Sequence, residues 1–337
     1  MSAREVLRRV HTFGGLTDEE CDVVLSVLKA RKGAPGDVLF RQGEPGDSLV
    51  LVLDGQLSVR VQGDAGESEV ARLGPGEVVG ELSFLDAEPR SATVSTPAGA
   101  TVLHFTRAGL HAVARAAPRA AASILRNVLS DLSRRLRDAG EKLAEADVRG
   151  DAPASIRPRG KPVTADALRR MPALARHGEE DLQLLAHIAT LCTFPAGAVI
   201  AEQDAPGDAC WLVLSGQVQV TRRGSWEPLA TLGAGALVGQ LALLDRAPRS
   251  ATMTAIGETL LLELRADAFQ NLVRASSPIA LRFQEQVALA GARQLRLATR
   301  KLASAAGAAP QSLRELDDWD DAVAPGPDLE LAIDLKR

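Results

Sequence analysis

The chain carries one sequence pattern twice, and two copies of a pattern require two copies of a fold. Leu7-Arg-Arg-Val10 returns as Leu168-Arg-Arg-Met171. Gly36-Asp-Val-Leu-Phe-Arg-Gln-Gly-Glu-Pro-Gly-Asp47 aligns without a gap on Gly197-Ala-Val-Ile-Ala-Glu-Gln-Asp-Ala-Pro-Gly-Asp208, and Leu51–Val59 aligns on Leu212–Val220. The longest block is Gly80-Glu-Leu-Ser-Phe-Leu-Asp-Ala-Glu-Pro-Arg-Ser-Ala-Thr93, matched by Gly239-Gln-Leu-Ala-Leu-Leu-Asp-Arg-Ala-Pro-Arg-Ser-Ala-Thr252. The register slips by two residues before this last block, which places a length difference in a hairpin near Gln62–Glu69. Two copies about 160 residues apart mean two homologous domains rather than a solenoid.

Within each copy the pattern is mainly β. Short apolar runs at Ser48–Leu53, Leu57–Val61 and Glu69–Leu73 are separated by Pro-Gly-Asp and Asp-Gly punctuation, as antiparallel strands joined by tight turns require. Many short strands at this spacing predict a small antiparallel barrel or jelly roll with flanking helices. Leu16–Ala30 reads as a helix, with Thr17 and Glu20 at capping-box spacing. Pro118–Ala146 reads as a long helix whose Leu125, Leu129, Leu132, Leu136, Ala139 and Leu143 form an apolar seam. That seam packs within the chain or joins two copies in a homodimer through helix 118–146. The second copy ends in a helix from about Pro278 to Ala303. The expected boundaries are a first domain at 1–147, a linker at 148–163, a second domain at 164–305 and an acidic, disordered tail at 306–337.

Composition narrows the partners. With 39 basic and 43 acidic residues the net charge is −4, which argues against nucleic acid as the main partner. No apolar run approaches the ~20 residues that cross a bilayer, so no membrane partner is expected. Cys21, Cys192 and Cys210 share no metal-ligand spacing and read as buried thiols of a reducing cytoplasm. His104 and His111 fall on a strand end and a helix, without the pattern of a metal site. No Gly-rich kinase loop, P-loop or Gly-x-Ser-x-Gly is present, so no enzyme is expected.

The block from Gly80 to Thr93 has the chemistry of an anion cradle. Gly80 permits close backbone approach, and Glu81 brings an acceptor. Leu82–Leu85 make a short helical turn with free N–H groups. Pro89 fixes a turn that presents Arg90, whose planar fork suits phosphate. A carboxylate beside an arginine suits a ligand with both a hydroxyl and a phosphate, a phosphorylated sugar or nucleotide.

At these residues both copies closely resemble the phosphate-binding cassette of cyclic nucleotide-binding domains, as found in protein kinase A regulatory subunits and catabolite activators. The resemblance implies that Glu81 binds a ribose hydroxyl and Arg90 the cyclic phosphate. It places Gly80, Leu82 and Ser83 in the cradle and gives Ser91 and Ala92 the remaining phosphate contacts. The second cassette comprises Gly239, Gln240, Leu241, Ala242, Arg249, Ser250 and Ala251, and departs from the family in having Gln240 for the glutamate. A neutral acceptor loses charge assistance, about 1–2 kcal/mol, so this site is expected to be weakened or lost. In the lost form, Arg249 is satisfied by an internal carboxylate such as Asp208.

Arginine outnumbers lysine and tyrosine is absent, the mark of a GC-rich genome. A bacterial chain is expected; the resemblance then favours cAMP, the common bacterial ligand of that family, with cGMP as the alternative. Neither long helix leads to a helix-turn-helix domain, and Arg134-Arg-Leu-Arg137 reads as the solvated side of a helix, so a transcription regulator is the lesser expectation. The chain opens directly on the helix before the first barrel, and residues 157–161 lack the Arg-Arg-x-Ser/Ala spacing of a kinase-inhibiting segment. Two readings stay open: a sensor that transmits nucleotide binding through helix movement to a protein effector, and a scaffold whose cassettes are relics.

Overall fold

The computed structural model describes residues 3–63, 66–143, 155, 158–175, 177–223 and 228–305. The chain divides into two compact units, one built on residues up to Val128 and the other on Leu129–Leu302.

The first unit opens with α1 (Ala3–Arg9) and α2 (Asp18–Val27). Eight strands follow: β1 (Lys29–Gly33), β2 (Asp37–Phe40), β3 (Ser48–Gly55), β4 (Leu57–Gly63), β5 (Gly66–Leu73), β6 (Val78–Val79), β7 (Thr93–Thr96) and β8 (Ala100–Thr106). The short helix α3 (Glu81–Asp86) interrupts them, and α4 (Arg107–Ala116) and α5 (Pro118–Leu143) follow. The strands form two four-stranded antiparallel sheets, ordered β1-β8-β3-β6 and β2-β7-β4-β5, a jelly roll with flanking helices. Both faces of β3 are buried, because alternate residues serve different layers. Val50 and Val52 join Phe40, Val94 and Val102 inside the barrel. Leu49 and Leu51 point the other way, as does Phe105 of β8, whose ring packs on Phe13 and Phe84 at 5.6 Å.

The sequence reading carried the first helix to Ala30, but α2 ends at Val27. Leu28 is extended, and Lys29–Gly33 pair with β8, from Lys29 opposite His104 to Gly33 opposite Ala100. Sheet pairing satisfies those backbone groups better than a frayed last turn would. The predicted start is met: Thr17 and Glu20 form a reciprocal capping box.

The second unit repeats the plan. Helices α6 (Ala165–Arg169) and α7 (Glu179–Ile188) precede β9 (Ala189–Phe194), β10 (Val199–Ala201), β11 (Ala209–Ser215), β12 (Val218–Thr221), β13 (Ala230–Leu232) and β14 (Leu237–Val238). Then come α8 (Leu241–Leu244), β15 (Thr252–Ala255), β16 (Thr259–Arg265), α9 (Ala266–Arg274) and α10 (Pro278–Ala305). Its sheets run β9-β16-β11-β14 and β10-β15-β12-β13, the same order as in the first unit. Trp211, Phe194, Val213, Met253 and Leu261 fill this barrel. The hairpin strands β12 and β13 are shorter than β4 and β5, where the repeat changes length.

The seam of the long helix is covered by the chain itself. Leu125, Leu129 and Leu132 are at most 2% exposed, and Leu136 and Ala139 are also buried. Of the two uses expected for the seam, packing within the chain is the one these buried residues display. Residues from Leu129 onward belong to the second unit, where Leu132 lies against Gly291 of α10. Arg134 and Arg135 are exposed, as read, whereas Arg137 is half-buried: its guanidinium pairs with Asp245, at 2.9 Å through Nη2, and donates to the Pro248 carbonyl at 3.0 Å. Most of the predicted linker and all of the acidic tail at 306–337 lie outside the described residues. Lys161, at the linker's end, pairs with Leu191 of β9.

Candidate functional site

In the first unit, β6 delivers the chain to Gly80, which adopts φ 87° and caps the N-terminus of α3. A Cβ there would stand 2.5 Å from Arg90 Nη1, so only glycine permits both the backbone turn and the close arginine. Glu81 and Ser83 face inward from the first turn and are 9% and 1% exposed. Ala87, at φ 57°, closes α3, and Arg107 of α4 donates to the Phe84 and Ser83 carbonyls at its end. The sequence reading passed over Arg107, whose charge complements a helix C-terminus.

The loop after α3 brings Arg90 back beneath Gly80. Its backbone pairs with the turn at residues 43–44, accepting from Gly43 N and donating to Glu44 O. The side chain is 6% exposed and lies over the Phe40 ring at 4.1 Å. Nη1 donates to Ser48 O at 2.6 Å and to Gly80 O at 3.3 Å, and Nη2 donates to Ser48 Oγ at 2.9 Å. Gly46 makes room, for a Cβ there would lie 2.1 Å from Arg90 Nε. Gly80, Glu81, Ser83 and Arg90 are thus brought together as the sequence spacing implied, with Leu82 half-buried beside them. Ser91 is exposed, and Ala92 belongs to the barrel core.

The second cassette has the same skeleton and different neighbours. Gly239 has φ 79°, and Gln240 caps α8. Arg249 Nη1 donates to Gly239 O at 2.8 Å and Nη2 to Ala209 O at 2.7 Å, mirroring the carbonyl contacts of Arg90. Nη2 also reaches Asp208 Oδ1 at 3.2 Å, the internal carboxylate that the sequence reading named. The repeat puts Ala209 where the first copy has Ser48, so an aspartate stands in for a missing hydroxyl. The guanidinium lies 5.0 Å from the Trp211 ring, and the indole N–H is held by Glu263 at 3.1 Å. Gln240 is 1% exposed and donates through Nε2 to Gln294 Oε1 of α10 at 2.9 Å. Gln294 in turn donates to Leu237 O at 2.7 Å.

Around these groups lies a cavity of ≈ 100 Å³ walled by Leu136, Gly140 and Leu143 of α5, Gln294 and Ala298 of α10, Val238 of β14, and Gln240 and Arg249 of the cassette. Sites that hold small organic ligands run to roughly 300–1,000 Å³. Ala242 and Ala251 are buried, and Leu241 and Ser250 are half-buried. Sequence reasoning missed Trp211 and Gln294. The first could have been found by comparing copies, because Trp211 replaces Val50; the second lies on a helix with no motif.

Both cassettes fall inside regions matched by the cyclic nucleotide-binding domain family, at residues 30–116 and 191–276, together just over half of the chain. The chain is 27% identical over 261 residues to a cAMP-dependent protein kinase regulatory subunit of Yarrowia lipolytica, covering 77% of this chain and 58% of that protein. It is 28% identical over 273 residues to the same-named subunit of Emericella nidulans, covering 77% of this chain and 56% of that protein. The chain therefore spans somewhat over half the length of these relatives. Among solved structures, the regulatory domain of Toxoplasma gondii PKA with cAMP aligns at TM-score 0.32 and 22% identity, covering 80% of this chain and 89% of that one. The relatives just named, which match across both repeats, are fungal, and this overturns the expectation of a bacterial chain drawn from composition. With two matched copies, each built around its own cassette, the chain belongs to the cyclic nucleotide-binding domain family.

Proposed function

We propose that the chain is a non-enzymatic regulatory protein that binds one cyclic nucleotide, cAMP, in its first cassette, and that its second cassette is closed by its own side chains. The contrast between the two cassettes carries this reading. In the second, Gln294 takes the amide of Gln240, while Asp208 and Trp211 hold Arg249. In the first, the glutamate is retained, and the positions equivalent to Ala209 and Trp211 are Ser48 and Val50. A valine occupies less of the barrel wall than the indole that stands in its place in the second copy. Glu81 would accept from a ribose hydroxyl, and Arg90 would turn its fork from the Ser48 and Gly80 carbonyls to the cyclic phosphate. Ser83 and the first-turn amides of α3 would complete the cradle.

Repositioning α3 on the ligand would shift α4, since Arg107 ties α4 to the α3 carbonyls, and α5 continues from α4. An effector protein would read that shift. Because these relatives are regulatory subunits of a cAMP-dependent protein kinase, a kinase catalytic subunit is a candidate effector. cGMP remains the alternative ligand, because the cassette contacts named here do not touch the base.

Calorimetric titration of the purified chain with cAMP, and in parallel with cGMP, tests the reading. One site per chain is expected. Arg90→Ala should weaken binding at least a hundredfold by removing the buried counter-charge of the phosphate, and Arg249→Ala should leave it within about threefold. Two equivalent sites, or binding indifferent to Arg90, would refute the assignment. Absence of binding to either nucleotide would favour a scaffold, a role the self-closed second cassette already suits.

A further inference from the structure

The wall of the first barrel carries a histidine that the cassette motif does not include. In β3 and β8, Ser48 lies opposite Thr106, Val50 opposite His104 and Val52 opposite Val102. Residues paired across an antiparallel ladder share a face. Val50, Val52 and Val102 belong to the barrel core, so His104 faces the barrel with them. On that face its neighbours lead straight to the cassette. Val50 pairs next with Val79, the residue before Gly80, and Ser48 is the residue that holds Arg90.

His104 Nε2 is buried and has no hydrogen-bond partner among the described residues. The repeat sharpens the point, because the equivalent position in the second copy is Glu263, whose carboxylate accepts the Trp211 indole N–H. His104 faces Val50, which has nothing to offer it. A ring nitrogen enclosed in a barrel wall without a partner costs free energy unless a ligand supplies one.

Resting on the reading of this cassette as a cyclic nucleotide site, we propose that His104 is a titratable wall residue of that site. It takes up a proton as the anionic cyclic phosphate binds beside Arg90, so that affinity for the nucleotide rises as pH falls. The charged groups around His104 are cationic on two sides. β1 contributes Lys29, its cross-strand partner, and Arg31, while the cassette loop contributes Arg90; Glu81 stands at the start of α3. From β3 it faces only Ser48, Val50 and Val52. Burial first, then the charges of Arg31 and Arg90, push the imidazole pKa down. A bound phosphodiester brings one negative charge that opposes those cations and favours the imidazolium.

The sign follows from linkage. A pKa raised by ligand means tighter binding at lower pH, with at most a tenfold change per pH unit between the free and bound pKa values and none outside that window. A cyclic phosphodiester stays singly charged from pH 5.5 to 8, so the ligand contributes no slope of its own.

The test is calorimetry of the full chain with cAMP at pH 5.5, 6.5 and 8, each in two buffers of different ionisation heat. Affinity should tighten about three- to thirtyfold from pH 8 to pH 5.5, with net proton uptake on binding. His104→Gln and His104→Leu should lose both slope and uptake, whatever their affinity at pH 8. His111→Gln, on α4, should keep them. A pH-independent affinity that still depends on Arg90, or a slope that survives in both His104 variants, overturns the inference and leaves the cassette assignment intact. No cAMP binding at any pH overturns the cassette assignment and the inference together. Should the variants fail to fold, proton uptake by the parent chain still decides, since zero uptake at pH 6.5 refutes the role.

Discussion

Replacing Gln240 by Glu restores the family's glutamate to the second cassette, and the structure predicts that this alone creates no second nucleotide site. Gln240 is 1% exposed and donates to Gln294 Oε1 at 2.9 Å, while Gln294 donates to Leu237 O at 2.7 Å. A carboxylate cannot donate, so it would set two acceptors against each other. Flipping the Gln294 amide cures that clash only by aiming its oxygen at the Leu237 carbonyl. One hydrogen bond is lost either way, about 1 kcal/mol, and a buried carboxylate adds a further ~2 kcal/mol of desolvation. The sum, about 3 kcal/mol, corresponds to a carboxyl pKa raised roughly two units above the unfolded value of about 4.3. A folded-state pKa raised in this way makes stability greatest at low pH, because the protonated carboxyl can donate to Gln294 Oε1. The penalty grows as pH rises from ~4.3 and is complete near pH 7. Urea unfolding of Gln240→Glu and the parent, compared at pH 7 and at pH 5, measures it. The variant should lose about 3 kcal/mol at pH 7, recover most of it at pH 5, and still bind one cAMP. A variant as stable as the parent at pH 7, or one that binds two nucleotides, would refute the reasoning.

Trp211→Val, which copies Val50 into the second barrel, removes the ring over Arg249 and the bond to Glu263; the second unit should lose about 3 kcal/mol in urea unfolding, and a loss below about 1 kcal/mol would mean that the indole is not part of the closure. The three cysteines are free and buried, and burial pushes each thiol pKa up, that of Cys210 to about 12. The thiolate is disfavoured, so the native chain should resist a disulfide-exchange reagent at pH 8 and release three equivalents only on denaturation, whereas rapid labelling of the native chain would contradict the burial.

What was legible in the sequence followed the repeat. Turn residues and apolar alternation located β3, β4 and β5, and Thr17 with Glu20 marked the start of α2. The Gly80–Thr93 block located a cassette whose glycine, glutamate and arginine do converge. What stayed hidden depended on pairings between distant segments. The end of α2 is set by β8, some seventy residues onward, and no local signal at Leu28 announces that partner. The long helix showed its apolar seam but not its coverings. Arg137 read as solvated because its partner, Asp245, lies 108 positions away in the second cassette.

The same reasoning explains why the fate of the second site could be only half read. Gln240 is visible as a departure from the motif, but a glutamine alone weakens a ribose contact; it does not close a site. The proposed closure rests on Gln294 on α10, on Asp208 standing in for the Ser48 hydroxyl, and on Trp211, a larger side chain than the equivalent Val50. None of these three lies within the cassette block, although two of them fall in aligned columns of the repeat. A duplicated chain carries its own control: where the two copies agree, the shared residues report the fold, and where wall residues differ, they mark where the two sites can behave differently. By that measure Val50 paired with His104, against Trp211 paired with Glu263, separates the two halves more sharply than the single change from glutamate to glutamine.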